Sequence, residues 1–515
     1  MKKQSLIKGT FILGIAGILA KFLGIFFRWP LVMLIGDEGL GYYQMSYPLY
    51  MFFIATASGI PVAVSKMVSE RNAVGDNEGI IQVLKKAILL MIIIGGGFSV
   101  FLSLFSKQLV SFFNWDQKSY YSLIGIAFAP LIIGIMSAFR GLFQGLQNMS
   151  PTAVSQILEQ MGRVIVGVGL AYILIPKGIE YSAGGAAFGA AAGGLLGGIY
   201  LIRKYVKVKK ELGVIKVRNN IDVMGKLLYI AIPISLGAAV GTVMSLIDSI
   251  LVPQKLLQAG FDVKRATELY GQLTGKAFVL VNVPLTLSIA LSASLVPIIS
   301  EAFILGNKKE VERKVQLATR VAMVIGIPSF CGLFFMSDPI FNLIFPGHAD
   351  GALILKYLSI SIPFIVLAQT NTAILQGVGR YRIPVLNLII ACIVKIFVTI
   401  NLVPIPAFNV YGAVIGTVTA YIIAAILNVT AMTRTLKVKI NYYDVIIKPA
   451  YAAILMTITV VFIYIYVYNN TMSISISCLA AISIGALVYS ILIILFGIFS
   501  YAQIKTRLLK RGVKW

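Results

Sequence analysis

The sequence has very few of the side chains that most catalytic and metal-binding sites use. Its 515 residues include one histidine and three cysteines, and 19 acidic residues stand against 44 lysines and arginines. His348 lies in a loop-like segment, and Cys331, Cys392 and Cys478 are far apart in apolar runs. A metal cluster, a disulfide framework and a redox site are therefore not supported, and we expect the cysteines to be small core residues.

Charge of either sign is scarce as well. Charged residues make up 12% of the chain, whereas 58% of it is hydrophobic. A soluble globular chain carries about 25% charged residues, so this composition predicts an integral membrane protein of the all-α class. A spanning helix needs about 20 mostly apolar residues. On that rule the sequence predicts 14 transmembrane helices, near residues 8–35, 42–68, 80–105, 120–145, 151–175, 182–203, 226–250, 270–303, 315–336, 352–376, 383–403, 411–433, 446–468 and 473–499.

The basic residues are concentrated on one side of these predicted spans. They crowd segments such as Arg71–Lys86, Arg203–Lys226 and Arg434–Lys448, whereas the alternate loops hold few of them. Cytoplasmic loops carry an excess of lysine and arginine, so we expect a protein of the cell membrane with both termini in the cytoplasm. The net charge of +25 follows from these loops and does not indicate a nucleic-acid partner.

Weak internal repetition divides the chain into two parts. The segment Arg140-Gly-Leu-Phe-Gln-Gly-Leu-Gln is echoed by Ala373-Ile-Leu-Gln-Gly-Val-Gly, and Gly185-Ala-Ala-Phe-Gly is echoed by Gly412-Ala-Val-Ile-Gly. The offset corresponds to six spans, which predicts two parallel six-helix bundles related by a pseudo-two-fold axis along the membrane normal. The predicted domains are an N-terminal bundle at 1–203, a basic cytoplasmic linker at 204–225, a C-terminal bundle at 226–435, and helices 13 and 14 with a basic tail at 436–515.

Seven cationic side chains lie inside the predicted spans, against only two acids, Glu159 and Asp248. A charge at membrane depth costs at least a few kcal/mol, so it is usually paired or kept for function. Most of these cations have no acid to pair with, and we expect them to line an internal cavity that binds an anionic substrate. The seven are Lys21, Arg28, Lys66, Arg140, Arg163, Lys276 and Lys395.

Four of the cations have a simpler alternative role. Lys21 and Arg28 are two turns apart on one face of predicted helix 1, where they either line the cavity or extend to the membrane interface. Lys66 and Arg140 lie near the cytoplasmic ends of helices 2 and 4, so interface anchoring is the alternative for both.

The remaining candidates differ in the partners that the sequence offers. Glu159 and Arg163 are four residues apart, which predicts a neutralised pair or a coupling and gating role. Lys395 occupies the place of Arg163 in the second repeat without a nearby acid, and Lys276 also has no local acid partner. Asp248 either binds a cation or a proton, or is a hydrated residue at the outer interface.

Six short motifs occur in a fixed order along the chain. They are Ala20-Lys-Phe-Leu-Gly24, Gly39-Leu-Gly-Tyr-Tyr-Gln44, Gly59-Ile-Pro-Val-Ala-Val-Ser-Lys66, Phe143-Gln-Gly-Leu-Gln147, Leu295-Val-Pro-Ile-Ile-Ser-Glu301 and Leu375-Gln-Gly-Val-Gly379. Together these motifs resemble the multidrug/oligosaccharidyl-lipid/polysaccharide (MOP) exporter superfamily. Within it, the whole chain is similar to the stage V sporulation protein B group of polysaccharide exporters and to lipid II flippases.

The resemblance implies export of an undecaprenyl-diphosphate-linked sugar, such as a peptidoglycan precursor for the spore cortex, by alternating access. It also implies cavity cations from helices 1, 2 and 8. Lys21 matches the first helix-1 position, Arg28 lies about one residue from the second, and Lys276 lies about one turn from the helix-8 position. Expected partners are an anionic lipid-linked oligosaccharide, the bilayer and envelope-synthesis enzymes. No cofactor is expected, and coupling to the membrane potential, H⁺ or Na⁺ stays open.

Two alternatives remain at this point. A drug or cation antiporter of the same superfamily needs an acidic cavity, which two acids against seven cations disfavour. A membrane glycosyltransferase or glycan polymerase needs carboxylates in a sizeable outer loop, and the predicted outer loops are short with scattered acids. The sequence therefore favours a transporter over an enzyme.

Overall fold

The computed structural model describes residues 6–214 and 222–498, and these ranges contain helices and turns but no strand. The structure does not describe the side chains at some helical positions in these ranges, and Lys21 is one of them. The α-helices, numbered in chain order, are α1 Leu6–Ala57, α2 Gly59–Ala73, α3 Asn77–Phe112, α4 Tyr120–Ala127, α5 Ala129–Gly145, α6 Ser150–Leu174, α7 Ile179–Leu212, α8 Asp222–Gln258, α9 Val263–Gly271, α10 Phe278–Ile304, α11 Lys308–Phe335, α12 Ser337–Ile344, α13 Ala352–Leu358, α14 Ser361–Gly377, α15 Arg382–Leu402, α16 Asn409–Leu436, α17 Lys448–Thr471 and α18 Ile474–Leu495.

Most of these helices are long and apolar enough to cross a membrane. Within the described ranges there are 11 such stretches, or up to 13 if each of two bent helix pairs is one span. The bends are 58° within α8 and 44° between α13 and α14. The protein is therefore a multi-pass membrane protein. The predicted total of 14 spans is close to this count and stays a prediction.

A glycine interrupts the longest helix. Gly36, inside α1, has φ 61° and ψ −167°, a backbone conformation that only glycine adopts readily. This position falls between predicted helices 1 and 2. Pro30 and Pro48 lie within α1 without a comparable interruption. The break separates Arg28 from the tyrosine-rich segment that follows it.

The chain forms two compact units, Met1–Gly275 and Lys276–Trp515. The first unit extends past the predicted 204–225 linker, because α8 makes its contacts there with the preceding helices. The backbone N–H of Gly59 donates to Ser235 Oγ at 3.1 Å, and Trp115 Nε1 donates to the carbonyl oxygen of Ser249 at 2.6 Å. This division into units does not test the pseudo-two-fold symmetry that the sequence repeat predicts, so that symmetry stays a prediction.

Glycines on α7 let it pack closely on α6 in the first unit. Gly185, Gly189, Gly193 and Gly197 repeat every fourth residue. A Cβ atom at Gly189 would lie 2.8 Å from the carbonyl oxygen of Arg163, and one at Gly193 would lie 2.1 Å from that of Glu159. The close backbone approach expected of small residues at such spacing is therefore present. This close contact fixes the position of the α6 segment that carries Glu159 and Arg163.

The second unit has two apolar clusters. One contains Ile299, Val315, Ile374 and Met432, from α10, α11, α14 and α16. The other joins α11 and α12 to the C-terminal helices α17 and α18. In this second cluster Tyr489 Oη donates a hydrogen bond to a carbonyl oxygen of α11 at 3.1 Å. The three cysteines of the chain, all of them described, form no disulfide and are buried, as expected of core residues.

The α6–α7 contact predicts a difference between two Gly→Ala substitutions on one helix. Gly193→Ala forces a methyl group against a backbone oxygen, whereas the nearest atom to a Cβ at Gly198 is 3.9 Å away. We expect Gly193→Ala to destabilise the protein by about 1–3 kcal/mol, and Gly198→Ala to leave it unchanged. The measurement is the thermal unfolding midpoint of the purified variants in one detergent. Equal midpoints for the two variants would contradict the packing described here.

Candidate functional site

The guanidinium of Arg28 rests on aromatic side chains of the same helix, beyond the Gly36 break. Its Nη1 donates to Gln44 Oε1 at 2.7 Å. Its Cζ lies 5.1 Å from the ring centroid of Tyr43 and 5.7 Å from that of Tyr47. Cation–π contacts of this kind stabilise a charge without neutralising it. Within the described ranges Arg28 forms no ion pair, so its positive charge remains available to an anion.

Arg163 on α6 is held in the same manner. Its Nη2 donates to Tyr50 Oη at 3.3 Å, and its Cζ lies 5.9 Å from the centroid of that ring. The residue is 9% exposed, and its Nε is buried without a hydrogen-bond partner in the described structure. A buried N–H of a cation with no acceptor is costly unless an acceptor arrives. Arg163 is therefore suited to bind an anionic ligand.

Three tyrosines connect these two arginines, and we call Tyr43, Tyr47 and Tyr50 the tyrosine ladder. Adjacent ring centroids are 5.6 Å and 5.7 Å apart. The spacing of four and three residues places all three rings on one face of α1. We did not identify this set from the sequence, although its i, i+4, i+7 pattern was a signal that could have revealed it.

Glu159 pairs with Arg140 and not with Arg163. Arg140 Nη2 donates to Glu159 Oε2 at 2.9 Å, and Arg140 Nε donates to Ser155 Oγ at 2.8 Å. The predicted pairing of Glu159 with Arg163 is wrong: no ion pair between these two described residues occurs within 4 Å. Ser155 and Glu159 are one turn apart on α6, so they present two acceptors together to the guanidinium of α5.

The two remaining candidate cations of helices 1 and 2 are placed differently. Lys21 belongs to α1, but its side chain lies outside the described residues, so its predicted cavity role stays a prediction. The Lys66 side chain is 61% exposed, and its Nζ is 4.0 Å from Glu70 Oε1. An exposed pair at that distance is weak. Lys66 is therefore solvated in the second half of α2. This exposure agrees with interface anchoring, the alternative to a cavity role for this residue.

In the second unit, Lys276 contacts the loop between α12 and α13. It lies in a π-helical turn, Gln272–Ala277, and is fully buried. Its Nζ donates to the carbonyl oxygens of His348 at 2.8 Å and Asp350 at 3.3 Å, and it lies 5.7 Å from the ring centroid of Phe345. These contacts give Lys276 a structural role in holding the loop. A role in substrate binding stays a prediction.

Lys395 and Asp248 are both buried, at 1% and 3% exposure. Lys395 lies in the middle of α15, well after Pro384 near the start of that helix. The alternative of Asp248 as a hydrated interface residue is wrong, because its side chain is enclosed near Tyr270. Gating or ion coupling at these two residues stays a prediction. In the described ranges no group of three or more His, Cys, Asp or Glu is placed to hold a metal ion.

Comparisons with known proteins place the chain in a family. Residues 6–303 match the family model described as polysaccharide biosynthesis protein, and residues 274–400 match the MatE model. The chain is 31% identical to stage V sporulation protein B of Bacillus subtilis, over 86% of this chain and 86% of that protein. It is 28% identical to the lipid II flippase MurJ of Bacillus subtilis, over 81% of each.

Two solved structures have a similar fold. The lipid II flippase MurJ in an inward closed conformation gives a TM-score of 0.70 at 17% identity, over 94% of this chain and 98% of that one. A multidrug resistance MATE family transporter of the MOP superfamily, in an inward-facing conformation, gives 0.70 at 15% identity, over 81% of this chain and 94% of that one. The fold is thus that of a multi-span membrane transporter. The chain belongs to the polysaccharide biosynthesis protein family of the MOP superfamily.

The Arg140–Glu159 pair generates a prediction for stability. Removing one partner of a buried pair leaves an uncompensated charge and costs about 3–5 kcal/mol, whereas removing both costs less. We expect Arg140→Met to lower the thermal unfolding midpoint strongly and the Arg140→Met/Glu159→Gln double variant to regain much of the loss. Arg163→Met/Glu159→Gln serves as the control, and it should show no comparable recovery over Arg163→Met. If the Arg163→Met/Glu159→Gln variant regained stability and the Arg140→Met/Glu159→Gln variant did not, Glu159 would be paired with Arg163, as predicted from the sequence.

Proposed function

We propose that this protein is a flippase that exports an undecaprenyl-diphosphate-linked sugar across the cell membrane by alternating access. The observation that carries the proposal is the pair of arginines, Arg28 and Arg163, held on the tyrosine ladder without an ion pair in the described structure. Their free N–H groups suit diphosphate oxygens, because a guanidinium offers five donors and binds phosphate well. The tyrosine faces give sugar rings an apolar surface beside these donors.

The architecture proposed with this function has 14 spans with both termini in the cytoplasm. Dividing the stretch Phe22–Ala73 at Gly36 adds one span to the count of up to 13. Two six-helix bundles then account for helices 1–12, and α17 and α18 follow them. Weak repetition in the sequence supports this arrangement.

The relatives support the choice of substrate. One of them is named a lipid II flippase and another a sporulation protein, so we propose a peptidoglycan precursor as the cargo, with spore cortex synthesis as its use. Envelope-synthesis enzymes are the proposed protein partners. Transport needs no nucleotide in this scheme, because each negative charge moved outward down an inside-negative potential releases about 2.3 kcal/mol per 100 mV. Coupling to H⁺ or Na⁺ is the alternative.

The fold is shared with a multidrug transporter, so a drug antiporter is the competing function. A cationic drug would have to be attracted by acids near its path. In the first unit Glu159 is already paired with Arg140, and Arg28 and Arg163 repel a cation. The electrostatics of this unit therefore favour an anionic cargo over a cationic drug.

The test is a flipping assay with the purified full chain in proteoliposomes. The probe is a fluorescent undecaprenyl-diphosphate-linked disaccharide, and the readout is the fraction of label that an added membrane-impermeant quencher reaches. We expect Arg28→Ala and Arg163→Ala each to lower the rate by about tenfold or more, since about 1.4 kcal/mol of lost binding energy is tenfold. Arg28→Lys should retain part of the rate, and Lys309→Ala, at an exposed site, should retain all of it.

The thermal unfolding midpoint of each variant separates a binding defect from a folding defect. Folded Arg28→Ala and Arg163→Ala proteins that flip the probe at the wild-type rate would contradict the proposal. So would a wild-type protein that moves a cationic dye but none of the lipid-linked probe. A product of glycan polymerisation in the same vesicles would indicate the enzyme alternative instead.

A further inference from the structure

A cleft opens between α2 and α8 in the first unit. The two helices are in backbone contact where α2 begins: a Cβ at Gly59 would lie 2.0 Å from the carbonyl oxygen of Ala231. The cleft lies to one side of this crossing, between the part of α2 that runs from Gly59 to Ala73 and the part of α8 that runs from Asp222 to Ala231. The gap between them encloses about 500 Å³, within the range of small-molecule sites. None of the candidate residues placed above at the tyrosine ladder lines it.

One face of each helix lines the cleft, as the spacing of the residues shows. From α2 come positions i, i+1, i+4 and i+5, and from α8 positions i, i+3, i+4, i+7 and i+8. The lining residues are Lys66, Met67, Glu70, Arg71, Asp222, Gly225, Lys226, Tyr229 and Ile230.

The cleft is lined by three cations and by two carboxylates, Glu70 and Asp222, and two of the cations, Lys66 and Lys226, are not tightly paired. Arg71 is engaged by Asp76, whose carboxylate also accepts the backbone N–H of Gly79 at 2.8 Å. The hydrogen bonds from Arg71 and Gly79 hold the pKa of Asp76 below its usual value, so this partner stays charged at neutral pH. Lys66 is only weakly paired, at 4.0 Å from Glu70. Lys226 is exposed and has no ion pair in the described part of the chain.

The cleft also has an apolar side. Met67 is 4% exposed and forms part of its inner surface with Ile230, whereas Tyr229 is 83% exposed at its edge. Further along α8, Ile232 and Leu236 are both more than half exposed. Exposed apolar side chains on a membrane-spanning helix suit contact with acyl chains. The two lysines therefore lie beside a surface that suits a lipid tail.

We propose that this cleft binds the phosphate group of a membrane lipid, with Lys66 and Lys226 as its ligands and Tyr229 beside the lipid backbone. Lysine is a common phosphate ligand, and an aromatic side chain at the interface suits the region between headgroup and acyl chain. On the predicted topology the cleft faces the cytoplasmic leaflet. The site is separate from the arginines of the tyrosine ladder, and its occupation does not depend on transport.

Native mass spectrometry of the full-length protein in detergent tests the site, with phosphatidylglycerol as the probe. We expect the double variant Lys66→Gln/Lys226→Gln to bind the lipid about tenfold more weakly than wild type. Lys308→Gln/Lys309→Gln removes the same charge from exposed positions at the start of α11, and it should bind as wild type does. Glu70→Gln removes a competing carboxylate and should bind more tightly.

Two further probes identify the ligand. Diacylglycerol lacks the phosphate and should not occupy the site, and millimolar inorganic phosphate should not displace phosphatidylglycerol, because the acyl chains contribute to binding. The proposal would be overturned if the two lysine double variants lost the same amount of lipid binding, or if Glu70→Gln bound the lipid more weakly than wild type. It would also be overturned if diacylglycerol occupied the site or if inorganic phosphate displaced phosphatidylglycerol. Since no flipping is measured, failure here leaves the proposed export function standing, and failure of export leaves this site standing.

Discussion

A positive charge in a membrane-spanning segment must be stabilised without water, and the first unit does this in two ways. Arg140 is paired with a carboxylate, and its charge is neutralised. Arg28 and Arg163 are held by tyrosine rings, by a hydroxyl and by an amide, which leave their charge in place. This difference separates a structural arginine from two arginines that suit an anionic ligand. The proposed function rests on that distinction.

The surrounding structure fixes these arginines by close backbone contact. The glycine stripe of α7 lets it approach the carbonyl groups of Glu159 and Arg163 on α6, so larger residues there would move both side chains. At Gly36 the backbone leaves helical geometry within α1, between Arg28 and the tyrosines that it contacts. A change of backbone angle at this one residue alters the distance between Arg28 and the tyrosine ladder. The site is thus coupled to the position where α1 is broken.

Much of the fold could be predicted from the sequence, because apolar runs of spanning length are a strong signal. The break of α1 has a local cause, since Gly36 is the residue at which the backbone leaves helical geometry. The partners of the charged residues were harder to predict. Spacing along α6 pointed to a pair between Glu159 and Arg163, yet the carboxylate is taken by Arg140 from another helix. Spacing in one helix carries no information on how neighbouring helices approach it, and the enclosure of Asp248 was missed for the same reason.

The most direct test of the account is whether an anionic lipid-linked substrate reaches the tyrosine ladder. A single cysteine in place of Tyr47, in a chain with Cys331, Cys392 and Cys478 changed to alanine, retains both arginines with their other contacts, to Tyr43 and Gln44 and to Tyr50, and reports on their surroundings. We predict that this cysteine reacts with a small charged thiol reagent, and that an undecaprenyl-diphosphate-linked sugar slows the reaction whereas undecaprenol does not. A cysteine that is unreactive under every condition, or equally reactive with and without the diphosphate lipid, would contradict the account.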